Sequence, residues 1–226
     1  YQRENKMTQQ TSKQLPNGWK EKRVSEIVTR ITSGSRNWRK YYTDKKSSYF
    51  IRTQDVAKAH WVIEEIAQVD PKEDSEKSRT KACVGDIVIT ITGHIGLTKT
   101  VPKLDAPSYV NQSVALLSLK KEFDPRFIEF LFNSPSYKTE FERICIGIGR
   151  KSLSLDNIKK MSVVFPESLS AQSLIVSAIE TQFTRLDASV KALKSVRDKL
   201  ELYRKAVLND SFYGEGKTLS QITTSY

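Results

Sequence analysis

The stretch from Ser170 to Ser211 contains neither glycine nor proline, and Ile179, Leu186, Leu193, Leu200 and Val207 recur in it every seven residues. A seven-residue apolar repeat lays one stripe along one side of an α-helix, so this stretch predicts a coiled-coil helix of about four heptads. Phe183, Val190, Val196 and Tyr203 fill a second seam that drifts part-way along, which makes the register imperfect. A helix of ~40 residues is about 60 Å long at ~1.5 Å per residue. Such a stripe either finds a second helix or lies back on the chain's own globule. Glycines at 214 and 216 end it, and 214–226 reads as a polar tail.

The residues before the helix carry a different pattern. Positions 1–15 are polar and read as a disordered entry, with LPNGW (15–19) as a turn into a packed Trp19. Val24, Ile27, Val28 and Ile31 have helical spacing. YFIR (49–52), WVI (61–63) and IAQV (66–69) read as short strands, and PKEDSEKSRTKA (71–82) is helix-compatible. GDIVITITG (85–93) is the clearest strand, with Ile87, Ile89 and Ile91 alternating with Val88, Thr90 and Thr92 between two glycines. SVALLSL (113–119) predicts another. DPRFIEFLFNS (124–134) opens a helix with Asp124 as N-cap and Pro125 in its first turn. SYKTEFERICI (136–146) reads as a second helix, GIGRKSLS (147–154) as a loop, and MSVVFP (161–166) as a closing strand. The expected fold class is therefore α/β, a mixed α+β domain over 16–166, followed by a long coiled-coil helix over 167–213.

Charge points to a polyanionic partner. The 226 residues hold 37 Lys and Arg against 26 Asp and Glu, a net of +11. The first 60 residues hold 14 of those cations against 5 acids, so they carry +9 of the excess. Within them, Arg36, Arg39, Lys40, Lys45 and Lys46 interleave with Trp38, Tyr41 and Tyr42. Cations hold phosphates and aromatic rings stack on bases, so nucleic acid is favoured over a membrane surface.

Catalytic signals are missing from the sequence. His60 and His94 are its only histidines, and H-E-x-x-H, Walker A, G-x-G-x-x-G and N-P-P-[YF] motifs are absent. Cys83 and Cys145 match no metal or redox spacing. A non-catalytic binding module with no metal site is expected. With no apolar run near the ~20 residues of a membrane span and a polar start, it is expected in the cytoplasm.

In order and spacing, several segments resemble the specificity subunit of Type I restriction–modification systems. They are LPNGW (15–19), YFIRTQDV (49–56), VGDIVITITGHIG (84–96), YVNQSVALLSL (109–119), FIEFLFNSPSYKTEF (127–141), GRKSLSLDNIKKMSVVFP (149–166), ESLSAQSLIVSAIETQFTRLD (167–187) and YRKAVLNDSFYGEGKTL (203–219). ESLSAQ departs from that family's P-x-x-E-Q: Gln172 is kept and Ala171 stands in the acidic position. The resemblance implies one target-recognition domain and one spacer helix, half of a full-length subunit. The chain would be a natural half-subunit that dimerises or a piece of a longer one. Each domain would read one half of a bipartite double-stranded DNA site and scaffold the modification (methyltransferase) and restriction subunits. S-adenosylmethionine, ATP and Mg would belong to those partners. A standalone DNA-binding regulator and a coiled-coil adaptor without DNA binding remain as alternatives.

Candidate DNA contacts follow from residue chemistry, because Arg reads guanine, and Asn and Gln read adenine, through paired hydrogen bonds. Arg36, Asn37, Trp38, Arg39 and Lys40 lie in the basic segment. Arg52, Thr53 and Gln54 follow a predicted strand, Asn111 and Gln112 precede one, and Arg150, Lys151 and Ser152 sit in a glycine-flanked loop. The family resemblance adds Thr92 and His94 of the GHIG loop.

Overall fold

The computed structural model describes residues 15–36, 38–71, 75–147 and 151–213, with the backbone alone at Arg39, Ser75, Glu76 and Tyr213. The polar entry over 1–14, the tail from Gly214, Asn37 and Arg150 lie outside the described residues. In chain order the elements are β1 (Trp19–Arg23), α1 (Val24–Ile27), β2 (Val28–Ser33), β3 (Ser48–Ile51), α2 (Thr53–Val56), β4 (Ala67–Val69), α3 (Ser75–Thr80) and β5 (Lys81–Ala82). There follow β6 (Ile87–Thr90), β7 (Thr98–Thr100), β8 (Ser108–Val110), β9 (Val114–Leu119), α4 (Pro125–Asn133), α5 (Pro135–Arg143), α6 (Leu155–Lys160), β10 (Ser162–Pro166) and α7 (Leu169–Tyr213).

The alternation in β6 organises the domain. Ile87 and Ile89, with Ala115 and Leu117 of β9, face a core completed by Phe127, Phe132, Phe141 and Ile158 of the helices. Val88, with Val114 and Leu116, faces a second core completed by Ile51 of β3 and Val110 of β8. Both faces are buried, which is why this run carries apolar or β-branched residues on both sides. The sheet is antiparallel in the order β2-β9-β6-β7, and it packs through the second core on a mixed sheet, β4-β3-β8-β5, in which β3 and β8 are parallel. β1 and β10 pair antiparallel as a separate two-stranded sheet.

Two expectations are corrected. The helical spacing of Val24 to Ile31 covers one helical turn, α1, and then the strand β2; Val24, Ile27 and Val28 all enter the same core. WVI (61–63) is not a strand. Ile63 begins a 3-10 turn, and the Trp61 indole donates to the Thr100 carbonyl at 2.9 Å.

α4 starts as expected: the Asp124 carboxylate accepts from the Arg126 N–H at 2.9 Å, with Pro125 in the first turn. α7 is continuous over 45 residues. Its first two turns belong to the domain, where Val176 is buried and Gln172 is fully buried. Gln172 Oε1 accepts from the Asp124 N–H at 2.8 Å, and Nε2 donates to the Glu122 and Pro166 carbonyls at 3.2 and 3.0 Å. From Ser177 the helix forms a second unit, in which Leu186, Leu193 and Leu200 of the stripe are 58%, 69% and 60% exposed. No helix of the described residues is long and apolar enough to cross a membrane.

Candidate nucleic-acid interface

Backbone hydrogen bonds gather five segments at one edge of the domain. Gly34 N donates to Val114 O at 3.3 Å, and Ser35 bridges Asn111, so the exit of β2 meets the turn between β8 and β9. Asn111 N donates to Ile51 O at 3.0 Å, which brings in the exit of β3. Ile91 N donates to Ser113 O and Leu153 N donates to Ile91 O, both at 2.9 Å, adding the exit of β6 and the segment before α6. Ser152 bridges both Thr92 and Ile146. Strand direction causes the convergence: β2 and β6 run antiparallel to β9, and β3 runs parallel to β8, so their last residues all meet the β8–β9 turn.

The sequence candidates take different places at this edge. Arg36, Gln54, His94, Gln112 and Lys151 are exposed. Lys40 is also exposed, with Nζ 4.9 Å from the Tyr41 ring centroid, but it precedes the bridge of Tyr42 to Val69, the partner of Ser48 at the start of β3, whereas the edge lies at the exit of β3. Thr92 and Ser152 are half-buried and tie two loops together. Asn111 is half-buried, and its Oδ1 accepts from the Ser113 N–H at 3.1 Å, shaping the turn that presents Gln112.

Trp38 and Arg52 require correction. Trp38 is buried, stacked on Phe50 with ring centroids 5.1 Å apart and planes 7° from parallel, and it packs on Tyr109. It is core, and a base cannot stack on it. Arg52 donates from Nε and Nη2 to the Asp55 carboxylate at 3.1 and 3.3 Å, and its backbone N–H donates to the same carboxylate at 2.9 Å. Burial opposes its charge, but the Asp55 carboxylate lifts the pKa of the guanidinium above its ordinary value. Arg52 therefore fastens the start of α2 and is not free to read a base. Beside it, Thr53 Oγ1 is buried without a hydrogen-bond partner among the described residues.

Three residues outside the candidate contacts hold the edge in shape. Thr90 Oγ1 donates to the His94 carbonyl and accepts from the Leu97 N–H at 3.0 Å, closing the loop that carries His94. A Cβ on Gly34 would sit 2.0 Å from Val110 O and 2.1 Å from Asn111 O, so only glycine lets the exit of β2 approach the β8–β9 turn. Arg79 of α3 donates from Nη1 to Thr32 Oγ1 and Ser33 O at 2.7 and 2.6 Å, and from Nη2 to Ser35 Oγ at 2.7 Å. Among the described residues, no group of three or more His, Cys, Asp or Glu side chains could hold a metal ion.

A sequence model of the Type I restriction modification DNA specificity domain matches residues 16–196. The chain belongs to this family. It is 26% identical over 166 residues to the Type I restriction enzyme EcoBI specificity subunit of Escherichia coli, covering 73% of this chain and 35% of that subunit. Its fold matches a chain solved in work on complex assembly and conformational transition of the type I R-M system, with a TM-score of 0.72 at 16% identity, over 92% of this chain and 49% of that one. The HsdS subunit from Thermoanaerobacter tengcongensis matches with a TM-score of 0.65 at 16% identity, over 92% and 48% of the two chains. This specificity-domain chain thus spans about half the length of the solved relatives and about a third of the curated one. The likeness covers both the mixed α/β domain and the long C-terminal helix.

Proposed function

We propose that this chain is the non-catalytic DNA-recognition subunit of a Type I restriction–modification complex and reads one half of a bipartite site. The observation that carries this is the gathering of five segments at one edge, where Arg36, Gln54, His94, Gln112 and Lys151 are exposed. Arg and Gln side chains are suited to base edges in the major groove, and lysines to phosphates. The net +9 of the first 60 residues supplies the long-range attraction.

The helix is the second half of the proposal. Its exposed stripe pairs with a second copy in an antiparallel two-fold, or with the matching helix of a longer chain. Each side chain buried there contributes about 1.5–3 kcal/mol, and a two-fold contact buries both stripes with one self-complementary surface. The pair then holds two reading domains at a set spacing, so the second half-site is met at high effective concentration. The modification and restriction subunits dock on this scaffold in the cytoplasm and supply the S-adenosylmethionine, ATP and Mg chemistry.

The test is the salt dependence of duplex binding. Removing one phosphate-bound cation should reduce the steepness of log K against log salt by about 0.9. Replacing Arg36 and Lys151 by Ala should therefore flatten the slope and weaken binding. Full affinity with an unchanged slope would remove this edge from the interface.

A further inference from the structure

Arg79 lies far in sequence from every candidate contact at the edge, yet its guanidinium makes three short hydrogen bonds there. Nη1 holds Thr32 Oγ1 and Ser33 O, and Nη2 holds Ser35 Oγ. The acceptors bracket Gly34, which packs against the carbonyls of Val110 and Asn111 too closely for any side chain. Ser35 in turn bridges Asn111. Thr80, which follows Arg79 in α3, is fully buried and anchors the end of that helix. The exit of β2 is therefore held both by the Arg79 fork and by the β8–β9 turn. Arg36 follows directly from this grip, and Gln112 directly from Asn111.

We propose that Arg79 is a positioning residue that locks the Arg36 segment and the Gln112 turn into one rigid block, and so sets base discrimination without touching a base. The proposal rests on the reading of this edge as a DNA-binding surface. Its physical ground is the different tolerance of the two kinds of contact. Reading a base edge requires side chains held within about 0.5 Å and 10–20° of the productive geometry, whereas attraction to phosphates is long-ranged and carries no sequence information. Loosening the block should cost discrimination before it costs affinity. Only a planar fork spans the three acceptors; a lysine has the charge but not the fork.

The experiment uses the whole 226-residue chain. A preferred duplex is selected with the wild type from a randomised pool. Each variant is then titrated against that duplex, against the same duplex with single base pairs changed, and against random duplex over a salt series. For Arg79→Lys, the discrimination ratio should fall about tenfold, while affinity for random duplex and its salt slope stay within about twofold of the wild type. Arg79→Ala should lose the ratio as well. Thr32→Val with Ser35→Ala leaves Arg79 and all charges in place and should give part of the same loss. That pair also decides the matter if Arg79→Ala fails to fold. Wild-type ratios in Arg79→Lys and in Thr32→Val/Ser35→Ala would overturn the proposal and leave Arg79 as a structural or purely electrostatic residue. A wild-type chain that selects no sequence would instead overturn the underlying reading of the edge as a sequence reader.

Discussion

Replacing Gln172 by leucine removes three hydrogen bonds from the start of α7 with little change in side-chain volume. Gln172 is fully buried, and its amide is the partner of the Asp124 N–H, the Glu122 carbonyl and the Pro166 carbonyl. An orphaned buried polar group costs about 1–3 kcal/mol. Pro166 is buried and should carry about 2 kcal/mol of that cost. Glu122 is exposed and Asp124 half-buried, so water can reach them and each should cost ~0.5 kcal/mol. Asp124 also caps α4 and accepts from Ser173 Oγ at 3.0 Å, so the loss reaches that helix start. The expected total is about 3 kcal/mol, which for a domain of this size lowers the melting temperature by roughly 6–12 °C. Thermal unfolding followed by circular dichroism measures it. Gln172→Glu is the control: it keeps the acceptor for Asp124 N–H but turns a carboxylate oxygen toward two carbonyls, and should be no more stable than the leucine variant at pH 7. A leucine variant melting within about 2 °C of the wild type would show that these three bonds do not stabilise the start of α7.

Other consequences follow from single groups. Lys99 is buried, its Nζ has no hydrogen-bond partner among the described residues and lies 5.0 Å from the Trp61 ring centroid, and burial lowers its pKa against the opposing pull of Glu129. Between that lowered value and the ordinary 10.5 the unfolded chain binds the extra proton, so the stability from this group rises with pH across that window and its penalty is complete below it. Lys99→Met should therefore stabilise the domain by about 1 kcal/mol at pH 7, with the gain shrinking as pH approaches 10; urea unfolding at the two pH values checks it. Gly34→Ala forces a Cβ against two carbonyl oxygens and should cost about 2 kcal/mol, with weaker duplex binding in the same titrations. Leu186→Asp with Leu193→Asp should abolish self-association in sedimentation while leaving the melting of the domain unchanged, since both side chains are exposed in the single chain. Wild-type protein sedimenting as a monomer at tens of micromolar would exclude the homodimer and leave pairing with a longer chain's helix.

How much of the fold is legible in the sequence depends on whether the deciding interaction is local. β6 is visible because its two-sided apolar run sits between glycines, α4 because Asp124 and Pro125 are adjacent, and α7 because its heptads are uninterrupted. Val24 to Ile31 misleads because one turn of helix followed by a strand buries the same residues as a longer helix would. At the edge, the sequence marks the polar segments that meet but not which side chains face outward. Trp38 stands among cations in the sequence, yet its partners Phe50 and Tyr109 are supplied by β3 and β8. Arg52 precedes a turn that its own guanidinium closes through Asp55. Arg79 bonds residues 44 to 47 positions away, a distance at which no local spacing signals a contact.

Paired reading of DNA is decided by the sequence that the wild-type chain selects from a randomised duplex library at micromolar concentration. Two copies paired through α7, each reading DNA with the edge formed by β2, β3, β6 and the β8–β9 turn, should enrich one short motif in two inverted copies separated by a constant number of base pairs. Enrichment of no motif would contradict sequence reading by this edge; a single motif with no partner at fixed spacing would exclude the homodimer and leave pairing with the helix of a longer chain.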